Sequence, residues 1–141
     1  MEGFRHSMPI SVRFRDVDAM GHVNNAVFFT YLETARVEYV RQVVHRSQPF
    51  KLAGVGLILA QISCQFKKPI FYGQTVEVGT RVLEMRNSSF VVEQCIETDS
   101  QVAALAEGVM VYYDYPAGKS VRIPDEVRLR VTSFEANVEV R

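Results

Sequence analysis

The chain has 141 residues, of which 48% are apolar, and lysine plus arginine equals aspartate plus glutamate at 16 each. That length suits one domain over 1–141, and the apolar share supports a core, which excludes a disordered chain. Balanced charge excludes a global bias toward nucleic acid or acidic lipid, and no apolar run is long enough for a membrane-spanning helix. The opening MEGFRHSMPI has no apolar signal region, so a cytoplasmic location is expected. Cys64 and Cys95 stand far apart with no CxxC and no ligand spacing, as reduced thiols in strands would.

The first element is a period-2 strand in MPISVRFRDVD, with Ile10, Val12 and Phe14 on one side and Ser11, Arg13 and Arg15 on the other. AMGHVNN breaks it with turn and cap residues. From Asn25 to about Arg46 the period becomes helical: Phe28, Leu32, Ala35, Tyr39 and Val43 are spaced 4, 3, 4 and 4. Val40 and Val44 widen this stripe, while Glu33, Arg36, Arg41 and Gln42 lie off it. An amphipathic helix of about six turns follows, capped by Asn24 or Asn25 and followed by Pro49.

The remainder reads as β. LILAQISCQFKKPI is a long strand stopped near Pro69. QTVEVGTRVLEM alternates, RNSS is a turn, and FVVEQCIET and VAALAEGVMVYYDY are strands joined by a tight DS connection. After Pro124 the acidic residues suit one short helical turn. A lone amphipathic helix must bury its stripe against the sheet. The expected class is therefore α+β, one antiparallel sheet of about five strands wrapped around one long helix. Its edges and second face invite dimerisation.

The chemistry-bearing residues gather between the first strand and the helix, in DVDAMGHVNN. Asp18, just ahead of a helix, is stabilised as an anion by the N-terminal dipole; a turn cap would use the same position. Asp16 suits a local Asx-type hydrogen bond. Gly21 suits a turn with positive φ. His22 can orient water, hydrogen-bond a carbonyl or hold Asp18, or be a loop histidine. His6 and His45 have no visible partners, and three scattered histidines without ligand spacing point to no metal site. Gly73, in PIFYGQT, marks a turn or a close ligand approach. Tyr31, Phe28 and Phe29 belong to the core, to a pocket, or to both. Cys64 lies in an apolar strand, where a raised pKa makes a poor thiolate nucleophile.

FRDVDAMGHVNNAVFFTYLETARVEY, residues 14–39, together with the element order, resembles the 4-hydroxybenzoyl-CoA thioesterase family of the hotdog fold. The carrying positions are Phe14, Asp16, Asp18, Gly21, Tyr31 and Glu33 to Arg36. HVNN at 22–25 is also similar to a segment of acyl-ACP thioesterases. Two departures stand out: Ala19 occupies a position where the family often has proline, and Met20 one where acyl-ACP thioesterases carry asparagine.

The resemblance implies an acyl-CoA thioesterase needing no metal or redox cofactor, with coenzyme A only as part of the substrate. It implies Asp18 as base or nucleophile, the backbone N–H of Asn25 as oxyanion donor and His22 as helper. Gly21, Tyr31, Lys67, Lys68, Gly73 and Lys119 are the expected substrate-binding residues, with the lysines, Arg122 and Arg86 suited to nucleotide phosphates. The expected partners are the acyl-CoA and further copies of the chain, as a homodimer or homotetramer with the site at a subunit interface. An acyl-ACP thioesterase, a hotdog hydratase and a non-catalytic acyl-binding module are the alternatives.

Overall fold

A computed structural model describes residues 1–45 and 55–141. Strand β1 (His6–Ser11) leads through a 3-10 turn (Phe14–Asp16) to helix α1 (Asn25–Tyr39), which continues as a π-helical turn (Val40–Val44). Four strands follow: β2 (Val55–Phe66), β3 (Thr75–Met85), β4 (Ser89–Thr98) and β5 (Gln101–Asp114). The two-residue β6 (Lys119–Ser120), helix α2 (Asp125–Phe134) and the two-residue β7 (Glu139–Val140) complete the order.

The five long strands form one antiparallel sheet in the order β1-β3-β4-β5-β2. The short strands extend it, β6 antiparallel on β5 and β7 parallel on β3. Wrapped around α1, this is the hotdog arrangement. Asp99 and Ser100 have φ of 52° and 60°, so the β4–β5 connection is the two-residue hairpin that the DS dipeptide predicts.

The apolar stripe of α1 packs as its spacing predicts: Phe28, Leu32, Ala35, Tyr39 and Val43 are buried. The N-terminal half of α1 meets Val76, Val78, Ile96 and Ala104. Tyr39, Val43 and Val44 meet Val82, Phe90, Met110 and α2. Arg36, expected off the stripe, is buried instead; it donates to Gln94 Oε1 at 3.0 Å, and Gln94 donates to the Leu32 carbonyl at 2.9 Å. A satisfied polar contact lets a cation share the buried face.

Two further expectations need correction. β1 ends at Ser11, and Phe14 is 79% exposed on the 3-10 turn rather than facing inward with buried Val12. Asp16 Oδ2 turns back to accept the Arg13 N–H at 3.0 Å, which closes that turn. The tail carries ten residues of helix instead of one turn, with Val127 and Val131 buried on one side. The expected helix end at Arg46 and Pro49 lies outside the described residues. Among them, no helix is long and apolar enough to cross a membrane.

Candidate functional site

The loop between β1 and α1 is closed at its base by backbone bonds. Asn24 N–H donates to the Asp16 carbonyl at 3.1 Å, and Val17 pairs with Val23. Above them, Asp18 N–H donates to the His22 carbonyl at 3.0 Å and Gly21 N–H to the Asp18 carbonyl at 3.0 Å. Gly21 has φ of 88°, and nothing lies within 4 Å of where a Cβ would stand, so this glycine serves conformation, not space.

The Asp18 carboxylate is half-buried. Oδ1 accepts the Met20 N–H at 2.9 Å; Oδ2 accepts no hydrogen bond among the described residues. The turn-capping role is thus real and leaves one carboxylate oxygen for other work. Asp16 is buried, and Oδ2 accepts from the Arg13 N–H and from the Tyr31 hydroxyl at 2.7 Å, while Oδ1 accepts from the Arg13 guanidinium at 3.0 Å. Burial works to raise its pKa, but these hydrogen bonds together bring it below the usual aspartate value.

At the start of α1, Asn24 Oδ1 accepts the Ala26 N–H at 2.8 Å and the Asn24 carbonyl accepts the Val27 N–H at 2.9 Å. Asn24 is therefore the cap. The Asn25 N–H has no acceptor among the described residues, which leaves one donor at the positive end of the helix.

His22 is bridged to Phe71, and their rings meet edge-to-face at 6.5 Å. Its Nδ1 lies 3.5 Å from the Val23 carbonyl. Phe71 belongs to the turn holding Gly73, whose φ is 91°. Gln74 closes that turn by accepting the Phe71 N–H at 2.8 Å and donating to Asp99 at 2.9 Å. Gly73 therefore serves a turn next to the site loop.

An open cleft of about 220 Å³ lies where α1 begins, lined by His22, Val23, Asn25, Phe28, Phe66, Lys67, Lys68 and Pro69. Four sequence-predicted residues, His22, Asn25, Lys67 and Lys68, meet there. Asp18 is joined to the cleft through His22 and is not itself in the lining. Lys67 and Lys68 are placed by their N–H groups, which donate to the Ala103 carbonyl, and Lys68 Nζ donates to Gln101.

Of the other predicted binding residues, Gly21 and Gly73 hold turns outside the cleft lining, and Tyr31 and Lys119 sit apart from it. Tyr31 is buried with its hydroxyl on Asp16, not in the cleft wall. Lys119 pairs with Asp114, at the opposite end of β5 from Gln101, roughly 40 Å along that strand. Arg122 and Arg86 are engaged with Asp125 and Glu84. Burial pushes the Cys64 thiol up, which disfavours a thiolate. Among the described residues no three His, Cys, Asp or Glu side chains group to hold a metal.

Sequence reasoning missed Phe66, which meets Phe28 and Phe29 edge-to-face at 5.1 and 6.0 Å and walls the cleft while 41% exposed. Its signal was an aromatic residue ending a strand directly before two lysines. It also missed the exposed pair of Phe14 and Tyr72, edge-to-face at 5.7 Å beside the loop.

A loop-borne carboxylate, an imidazole, an unpaired helix N-terminal N–H, an apolar wall and two cations can together bind an anionic ligand and polarise a carbonyl. Comparison with known proteins identifies the family. The family model described as "Thioesterase-like superfamily" matches residues 12–131. The chain is 24% identical over 120 residues to the acyl-CoA thioester hydrolase YbgC of Escherichia coli, covering 84% of this chain and 90% of that protein. It is 25% identical over 131 residues to the acyl-acyl carrier protein thioesterase ATL3 of Arabidopsis thaliana, covering 92% and 68%. Among solved structures, a thioesterase from Thermus thermophilus complexed with coenzyme A and Zn superposes with a TM-score of 0.87. It is 32% identical and the match covers 97% of this chain and 98% of that one.

Proposed function

The chain belongs to the thioesterase-like superfamily and is a thioesterase of the hotdog fold; from that premise we propose that it hydrolyses an acyl-CoA to a carboxylic acid and coenzyme A. The observation that carries this reading is the convergence of His22, Asn25, Lys67 and Lys68 on one cleft beside the Asp18 loop. Lys67 and Lys68 suit the phosphates of coenzyme A. Phe28 and Phe66 suit the apolar part of the thioester.

The carbonyl oxygen lies against the Asn25 N–H, which holds the charge that develops when the carbonyl carbon is attacked. Asp18, with one oxygen fixed by Met20, uses the other to draw a proton from water or to attack the carbon itself. The carbon–sulfur bond then breaks and the thiolate leaves, to be protonated as free coenzyme A; where Asp18 itself has attacked, water then hydrolyses the acyl–Asp18 anhydride, which releases the acid and restores the carboxylate. His22 orients the attacking water or the thioester. A second copy of the chain closes the open side of the cleft.

The test is coenzyme A release, followed with a thiol reagent, over short, long and aromatic acyl-CoAs. Asp18→Asn is expected to lower kcat by about 100- to 10,000-fold while the fold is kept. Equal rates would remove Asp18 from the mechanism. The likeness to ATL3 and the basic pair at the cleft mouth favour one second reading, an acyl carrier protein thioester as substrate. It predicts turnover of acyl carrier protein thioesters where acyl-CoAs fail. Binding of acyl-CoA with turnover of neither would identify a non-catalytic module.

A further inference from the structure

The two halves of the site ride on different elements. The carboxylate of Asp18 sits on the loop, and the free N–H of Asn25 sits on the helix. Their separation depends on how the loop is fixed to α1. One side-chain hydrogen bond among the described residues ties the 13–18 segment to the body of α1: Tyr31 Oη to Asp16 Oδ2 at 2.7 Å. Both residues are 2% exposed, so water does not compete for that bond.

The bond sits at a junction. Asp16 uses its carboxylate on Tyr31 and Arg13 and its carbonyl on the Asn24 N–H at 3.1 Å. Engaging Asn24 N–H leaves Asn25 N–H as the next donor along, with no acceptor among the described residues. Tyr31 lies six residues beyond Asn25, about 9 Å up the helix axis, and its side chain reaches back toward the helix start as helical side chains do. The Tyr31 hydroxyl therefore holds the loop through the Asp16 carboxylate, while the Asp16 carbonyl holds the cap, so both ties run through one residue.

We propose that Tyr31 and Asp16 are a positioning pair that sets the distance between Asp18 and the Asn25 N–H. The proposal rests on the thioesterase reading above for its consequence in catalysis, and on geometry alone for its effect on the loop. Neither residue touches substrate in this account. Their action is to hold two reacting groups in register, and a displacement of about 1 Å there can cost on the order of 100-fold in rate.

The test uses the whole chain with Tyr31→Phe and Asp16→Asn, separately and together, on the acyl-CoA that wild type hydrolyses fastest. The expected result is a kcat lowered by about 10- to 100-fold with KM changed less than about threefold. The double variant falls no further than the worse single one, because the bond that Tyr31→Phe removes is among those that Asp16→Asn weakens. A KM that rises while kcat holds would overturn the proposal and make Tyr31 a pocket residue. A kcat within about twofold of wild type for folded Tyr31→Phe would overturn it too.

A second readout needs no turnover. Amide signals of Gly21 to Asn25 in nitrogen–proton correlation spectra are expected to shift in Tyr31→Phe, with α2 signals unmoved. Unmoved loop signals would refute the pair. A wild type that hydrolyses no thioester sinks the hydrolase reading, and the amide signals then decide the positioning claim by themselves.

Discussion

Asn24, the residue before the free donor, has φ of −61° and ψ of 138°. That extended geometry is what a residue preceding proline requires, and proline is well tolerated at the first position of a helix. Asn25→Pro therefore deletes one N–H with little cost to the helix, since that N–H has no acceptor among the described residues. If it is the oxyanion donor, kcat falls by about 100- to 1,000-fold. Asn25→Ala keeps the N–H and is expected to stay within a few-fold of wild type. Steady-state kinetics of the two variants checks this, and equal rates for both would discard the donor role. At this scale the sequence pattern of the site was legible where roles are local. Asn24 as cap, Gly21 with positive φ and Asp16 in a local hydrogen bond all follow from residue type and short spacing. The partnership of Tyr31 with Asp16 was not legible, because it joins residues fifteen apart through a helix whose rotation about its axis the sheet decides.

Between elements, His6 joins β1 to α1 and α2. It is buried, its ring meets Tyr39 edge-to-face at 5.5 Å, and its Nδ1 has no hydrogen-bond partner among the described residues. Tyr39 in turn donates to Glu135 at 2.7 Å at the end of α2, and Glu135 also accepts the Val82 N–H at 2.9 Å. Burial lowers the His6 pKa below 6.5, and the opposing pull of Gln42, Glu38 and Glu135 does not restore it. The unfolded chain thus takes up a proton near pH 6.5 that the folded chain refuses. This contribution to stability is complete above that pH and is lost as pH falls through the lower, folded value. Tm measured from pH 8 down to 5 is expected to decline below about 6.5, and less steeply in His6→Gln. His45, lowered by burial and by Arg130, acts in the same direction, so the slope is reduced and not abolished. An unchanged slope in His6→Gln would show that other groups carry it. The elements themselves were largely legible: the 4-3-4-4 stripe and the alternating strands specify what must be buried. The exceptions are places where polar contacts decide. Asp16 ends the first strand's alternation, Gln94 buries Arg36, and Glu135 anchors a helix whose apolar side rests on Val127, Val131 and Phe134.

Over the whole molecule, the sheet ends in two unequal edges. β1 has six residues with Pro9 near its middle, which blunts it as a template. β2 has twelve residues, VGLILAQISCQF, with neither a charge nor a proline, and it exposes Leu59 and Phe66. Such an edge left open invites pairing, and the symmetric solution is a second copy of the same edge. Antiparallel pairing centred on Ala60, next to the strand's midpoint, would set residue 60 of each chain beside its mate. We therefore expect wild type to sediment as a dimer or larger at micromolar concentration. Ala60→Lys brings like charges together at about 1 kcal/mol, so it is expected to weaken association about fivefold. Sedimentation velocity across a dilution series checks both. A wild type that stays monomeric throughout would mean that β2 is protected in some other way. The edge also bears on catalysis, because β2 ends at Phe66 in the cleft wall and Lys67 and Lys68 follow at once. A second copy along β2 would therefore arrive at the cleft's open side. Turnover that falls with dissociation of Ala60→Lys would show that the cleft is finished by the second chain. Turnover that survives in the monomer would show that the Asp18 loop, the start of α1 and the end of β2 are sufficient within one chain.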